Sequence, residues 1–136
     1  MIALIVIATG AYFLFLSGNA GSSSGNEPVA GNPPSSNPCD AKAASGAPTV
    51  VTMDEQGFHP DHVTIRQCDT VKFVNTGGND HWPASNIHPT HLIYPEFDPK
   101  RGIPAGESWS FVFDRAGTWY SHDHLFPEFT GAVTVQ

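Results

Sequence analysis

The chain has 136 residues and a formal charge of −7, from thirteen acidic and six basic side chains, and no Lys/Arg cluster runs along it to follow a phosphate backbone. Nucleic acid is thereby excluded as a partner, and the length suits one packed domain of about 90–110 residues rather than two. Twelve prolines, thirteen glycines, 11% aromatic and only 14% charged residues suit strands and turns better than helices, so the expected fold class is all-β.

The first segment, MIALIVIATGAYFLFLSGNA, has an uncharged apolar run from Ile2 to Leu16. Residues 1–20 read as an export segment, and two forms stay open: a signal peptide cut after small residues, or an N-terminal membrane anchor, the run being short of the ~20 residues of a full crossing. The expected location is the periplasm or the cell exterior. Residues 21–47 are rich in Gly, Ser, Pro and Asn, a composition that cannot bury enough apolar surface to offset ordering, and are expected to be a disordered linker. The folded domain is expected over 48–136. Export puts the only two cysteines, Cys39 and Cys68, in an oxidising compartment that favours a disulfide. The alternative, one of them as a thiolate ligand, finds no histidine at ligand spacing.

Beyond the linker, short runs of period-two alternation separated by turn residues predict strands. They are Thr49–Met53, Val63–Gln67, Val71–Asn75, a short piece around His81–Ser85, Glu107–Phe113, Thr118–His122 and Gly131–Gln136. In ESWSFVF, Trp109, Phe111 and Phe113 alternate with polar or small residues, so that strand packs one face on a core. The stretch IHPTHLIYPEFDPKRGIPAG is a long connection with four prolines, the kind of ordered loop that carries function.

Five of the seven histidines fall between positions 81 and 124. His59 and His62 lack an acidic or cysteine partner at metal spacing and read as surface residues. His122 and His124 form a His-x-His step, and residues two apart on a strand share a face, so the two imidazoles stand side by side as a chelate. Imidazole suits copper, zinc and nickel, and two from one strand need more from another element. His81, His91 and His88 are the candidates.

These residues resemble the cupredoxin family from Thr49 to the C-terminus. GFHPDHVTIRQCDTVKFVN is similar to its opening, with Cys68-Asp69 in a turn usually built on Gly-Asp, Asn75 at the strand end, and His81 at the first copper ligand. IPAGESWSFVFDRAGTWY resembles its later hairpin. In the final loop Gly117 and Gly131 fit both ends, but the family's cysteine position is Asp123, its histidine position Phe126 and its methionine position Phe129. A blue site depends on a copper–thiolate bond, and no thiol stands here. The resemblance extends to the multicopper oxidases of the same superfamily, whose His-x-His at this strand is similar to GTWYSHDH, whose His-Trp-His-Gly resembles His81-Trp82, and whose His-Pro-x-His-Leu-His resembles HPTHL at His88–Leu92.

The expectation is an exported cupredoxin-like Greek-key β-sandwich of seven to eight strands that binds copper, with zinc as the alternative metal, through imidazoles in a type 2-like site. The ligands expected are His122 and His124, with His81 and His91 completing the set and His88 in reserve. Asp123 and Glu96 are expected to support the ligands, and Asp98 is a further carboxylate able to orient an imidazole N–H. The function classes are copper handling or electron transfer, a small copper oxidoreductase, and a zinc-binding domain. A redox or copper-delivery protein is the expected partner, contact with a membrane runs only through the N-terminal segment, and association of identical chains stays open.

Overall fold

The computed structural model describes Cys39 and residues 46–136. The export segment and nearly all of the linker expected from the sequence lie outside the described residues. Regular structure among the described residues is entirely strand: β1 (Thr49–Asp54), β2 (Gly57–His59), β3 (His62–Ile65), β4 (Thr70–Asn75), β5 (Pro83–Ser85), β6 (Ser108–Val112), β7 (Gly117–Asp123) and β8 (Thr130–Val135). They form two four-stranded sheets in the orders β2-β1-β4-β6 and β3-β8-β7-β5. The pairs β1–β4 and β3–β8 are parallel and the others antiparallel. No helix among the described residues is long and apolar enough to cross a membrane.

The alternation that predicts β4 is visible in its burial, where Val71, Phe73 and Asn75 are buried while their neighbours are half-exposed. Val51, Met53, Val71 and Phe73 from one sheet meet Ile65, Val133 and Val135 from the other, and Tyr94, Phe97, Ile103 and Phe113 complete the core. Each such side chain removed from water contributes about 1.5–3 kcal/mol. Phe97 is stacked on Trp109 at 5.9 Å between centroids and on Phe73 at 5.6 Å. Trp109 and Phe111 pack partly buried against the core beside Phe113, as their alternation predicts.

The strand missed in the sequence is β2, three residues long and ending before Pro60, too short for a period to register. The long loop with its prolines is held at its base: Tyr94, Phe97 and Ile103 are buried in the core, and the N–H groups of Ser85 and Asn86 donate to Phe97 O and Tyr120 O, each at 3.0 Å. The expected disulfide is present, joining Cys39 to Cys68 across 29 residues with the Cα atoms 4.8 Å apart. Cys68 has φ 70°, the left-handed conformation for which glycine is usually chosen.

Candidate metal centre

β7 places its odd and even residues on opposite faces. Trp119 packs against the core, and Ser121 and Asp123 are buried on that face, whereas Tyr120 is exposed and His122 follows it outward. His124, just past the strand end, donates its backbone N–H to the Trp82 carbonyl at 2.8 Å, which prolongs the extended course by one step. The rings of His122 and His124 thus lie on one face, 6.3 Å apart between centroids. Their partners come from the turn after β5. His88 Nδ1 lies 3.2 Å from His122 Nε2, and His91 Nε2 lies 2.9 Å from His124 Nδ1.

One ligand atom from each of His88, His91, His122 and His124 lies within 4.8 Å of the others. Nitrogens bound at ~2.0–2.1 Å to one ion are roughly 2.9 Å apart along the edge of a square and roughly 3.3 Å apart in a tetrahedron. The two close pairs match those edges, so the donor set fits a four-coordinate ion once the wider pairs, none beyond 4.8 Å, draw in.

Three of the rings are oriented from behind. His91 Nδ1–H donates to Asp98 Oδ2 at 2.5 Å, which fixes the tautomer and leaves the Nε2 lone pair facing the cluster. His122 Nδ1–H donates to Asn86 Oδ1 at 3.0 Å with the same effect. His124 lies against the Trp82 indole, 4.5 Å between centroids, and Trp82 Nε1–H donates to Asp98 Oδ1 at 2.8 Å. His91 holds a left-handed backbone, φ 53°, which costs a non-glycine residue about 1–3 kcal/mol unless its surroundings over-determine it. They do: its N–H donates to Ile87 O at 2.8 Å and its carbonyl accepts from Ser85 Oγ at 2.9 Å.

The electrostatics disfavour a proton on the two rings from β7, His122 and His124. Burial, then the facing charges of His91, His88 and His124, depress His122 to about 4. Burial, then the charges of His91 and His88, lower His124. Burial of Asp98 opposes its charge, but the donors from Lys100, His91 and Trp82 outweigh it and hold the carboxyl well below the usual range.

His81 is not in the cluster. It lies on the core side of β7, where its Nδ1–H donates to Asp123 Oδ2 at 2.6 Å, and both side chains are essentially without exposure. Among the described residues its Nε2 is buried with no hydrogen-bond partner. The ring is flanked by Phe126 at 5.6 Å and Phe129 at 6.4 Å between centroids. The four positions that resemble the blue-copper ligands therefore do converge, but on a histidine–aspartate pair capped by two phenyl rings. The alternation that aims His122 and His124 outward aims Asp123 inward, and His81 follows the aspartate.

Asp123 also accepts from the N–H groups of Trp82 and Leu125, at 3.1 and 2.9 Å, so it ties the start of the β5 segment to the end of β7 beneath both histidines of the His-x-His step. Glu96 does not support a ligand: it pairs with Arg115 at 3.1 Å on the surface, and Asp98 two residues later faces His91 instead. Asn86 and Trp82 were missed as supports. Their signal was sequence proximity to His88 and His81, which alone does not indicate which way a side chain turns. His59 and His62 stand apart, beside Asp54 and Asp61.

No protein-family model matches the chain, and no curated protein does. Solved structures do. A purple cupredoxin from Nitrosopumilus maritimus is 19% identical, with a TM-score of 0.57 over 65% of this chain and 99% of that one. A reduced amicyanin variant is 22% identical, with a TM-score of 0.58 over 69% of this chain and 89% of that one. A copper-containing nitrite reductase from Thermus scotoductus is 20% identical at a TM-score of 0.57, over 74% of this chain, which spans only 26% of that enzyme. Two mixed four-stranded sheets, their order and these likenesses give one conclusion: the chain has the cupredoxin fold.

Proposed function

We propose that the protein is an exported copper-binding protein that holds one copper ion through His88, His91, His122 and His124 and acts in copper handling or electron transfer. The observation that carries the reading is the convergence of four imidazole donors within 4.8 Å at the end of a cupredoxin sandwich. Copper bound there would supply a redox-capable Lewis acid with nitrogen-only ligation. Asp98 and Asn86 keep the ring protons on the outer nitrogens of His91 and His122 and so present the inner lone pairs. Because burial and neighbouring rings disfavour protonation of His122 and His124, these two meet a cation near neutral pH without first losing a proton. Trp82 covers the flank of His124 and keeps water from that side. Among divalent ions, copper stands above zinc in affinity for a given nitrogen site, and the similar folds named above include copper proteins. The disulfide accords with an oxidising compartment.

Titration with Cu(II) tests the reading. One equivalent is expected to bind with a weak, broad d–d band and a type 2 paramagnetic resonance spectrum, and to withstand equimolar Zn(II). An intense band near ~600 nm, the signature of a copper–thiolate bond, contradicts the nitrogen-only site. A reversible wave in voltammetry of the loaded protein assigns it to electron transfer, and an absent wave to copper handling.

A further inference from the structure

We propose that His88 is the exchangeable ligand of the centre, and that the position it fills accepts a neutral nitrogen donor from outside, an imidazole above all; this inference rests on the copper reading above. The four rings are held unequally. His91 and His122 are buried, and each has a side chain behind it, Asp98 and Asn86. His124 is half-buried against Trp82. His88 is exposed, as are Ile87, Pro89 and Thr90 around it, and the one hydrogen-bond contact of its ring is with His122 inside the cluster. Its ring contacts, at 5.1 and 4.8 Å between centroids, are likewise with the ligands His122 and His124.

Turning His91 outward leaves the buried Asp98 carboxylate short of a donor, and turning His122 outward strips Asn86 of its partner. Turning His88 outward breaks nothing beyond the cluster. The turn that carries it is closed on itself, since the N–H groups of Thr90 and His91 both donate to Ile87 O, at 2.9 and 2.8 Å, so the ring can swing without unravelling the loop.

The exchange balances simply. His88 withdraws one nitrogen and an incoming imidazole supplies one, so a single nitrogen–ion bond breaks and one forms. Both donors are neutral, and no electron or proton changes place. A ligand tethered by a short loop acts at an effective concentration on the order of millimolar. Free imidazole at about 10 mM therefore suffices to replace the ring once it is removed. A histidine presented by a second protein would enter by the same position, which lets copper pass between chains one ligand at a time.

The test uses the full chain with Cu(II) and the variants His88→Ala and His88→Gln, compared with His91→Ala and His122→Ala, each checked for folding by its thermal transition. The His88 variants are expected to keep one copper ion, bound about tenfold to a hundredfold more weakly in chelator competition, about 1.4–2.8 kcal/mol. Imidazole at about 10 mM is expected to shift the resonance spectrum of the His88→Ala protein back toward that of the wild type. His91→Ala or His122→Ala, whichever remains folded, is expected to lose far more affinity and to gain nothing from imidazole. Two results overturn the inference and leave the copper reading standing: His88→Ala losing copper as completely as the folded reference variant, or binding it with a spectrum indifferent to imidazole. A wild-type chain that takes up no copper overturns both.

Discussion

The carboxylate of Asp98 accepts four N–H donors on two oxygens: His91 Nδ1 and Lys100 Nζ on one, Trp82 Nε1 and the Lys100 amide on the other. Removing it frees the His91 ring and the indole that covers His124, so Asp98→Ala is expected to weaken copper binding about tenfold to a hundredfold in chelator competition. Glu96→Gln should leave affinity unchanged, because that carboxylate serves Arg115. A pH dependence follows at the same scale. His122 is depressed to about 4 in the folded chain, against an ordinary value of about 6.5 in the unfolded one. Between those values the unfolded state takes up the proton and the folded state resists it. The contribution to stability is therefore full above about 6.5 and is lost as the pH falls through about 4. Urea midpoints of the metal-free protein are expected to drop across that interval, and a midpoint that stays flat there removes the assigned shift. That His122 and His124 share a face was legible in the sequence because a period of two states which side chains stand together. His81 was misleading for the same reason read incompletely: its spacing from β4 resembles a ligand's, but its partner is the residue between the two histidines, and that residue faces the other way.

At the scale of elements, β7 and the turn after β5 supply the centre, and the two are joined by the β5–β7 pairing of Ala84 with His122 and Ser85 with Ser121. Replacing both His122 and His124 by alanine removes one side of the cluster and is expected to abolish tight copper binding in titration, whereas replacing both His59 and His62 should not change it. β8 packs unusually close to its neighbours at Gly131, where an added Cβ would sit 2.9 Å from the Asp61 backbone oxygen and 3.1 Å from the Phe58 ring. Gly131→Ala is expected to destabilise the fold by roughly 1–3 kcal/mol, visible as a lower melting temperature. The strands with clear alternation, β1, β4, β6, β7 and β8, were legible. β2 was not, since its three residues stand between a turn and Pro60 and show no period. The path of the long loop was not either, because the burial of Tyr94 and Phe97 depends on which core they meet rather than on local pattern.

At the scale of the molecule, a small sandwich with a high share of loop gains from a cross-link. Closing 29 residues between Cys39 and Cys68 removes unfolded-state freedom on the order of 3–4 kcal/mol by loop-entropy reckoning. Reduction, or alanine at both positions, is expected to lower the unfolding free energy by up to about that amount in denaturant titration. Composition and charge indicated the all-β class without help from any single residue. They could not indicate that the centre sits on the outer face of β7 while the position resembling the blue site is filled behind it. That two-sidedness makes the strand intolerant of a change that leaves every side chain of the centre in place. Deleting one residue between Gly117 and Ser121 would rotate everything after it by half a step, driving two imidazoles into the apolar interior and turning a carboxylate out to solvent. The register of a few residues on one strand thus matters to the centre as much as their identities.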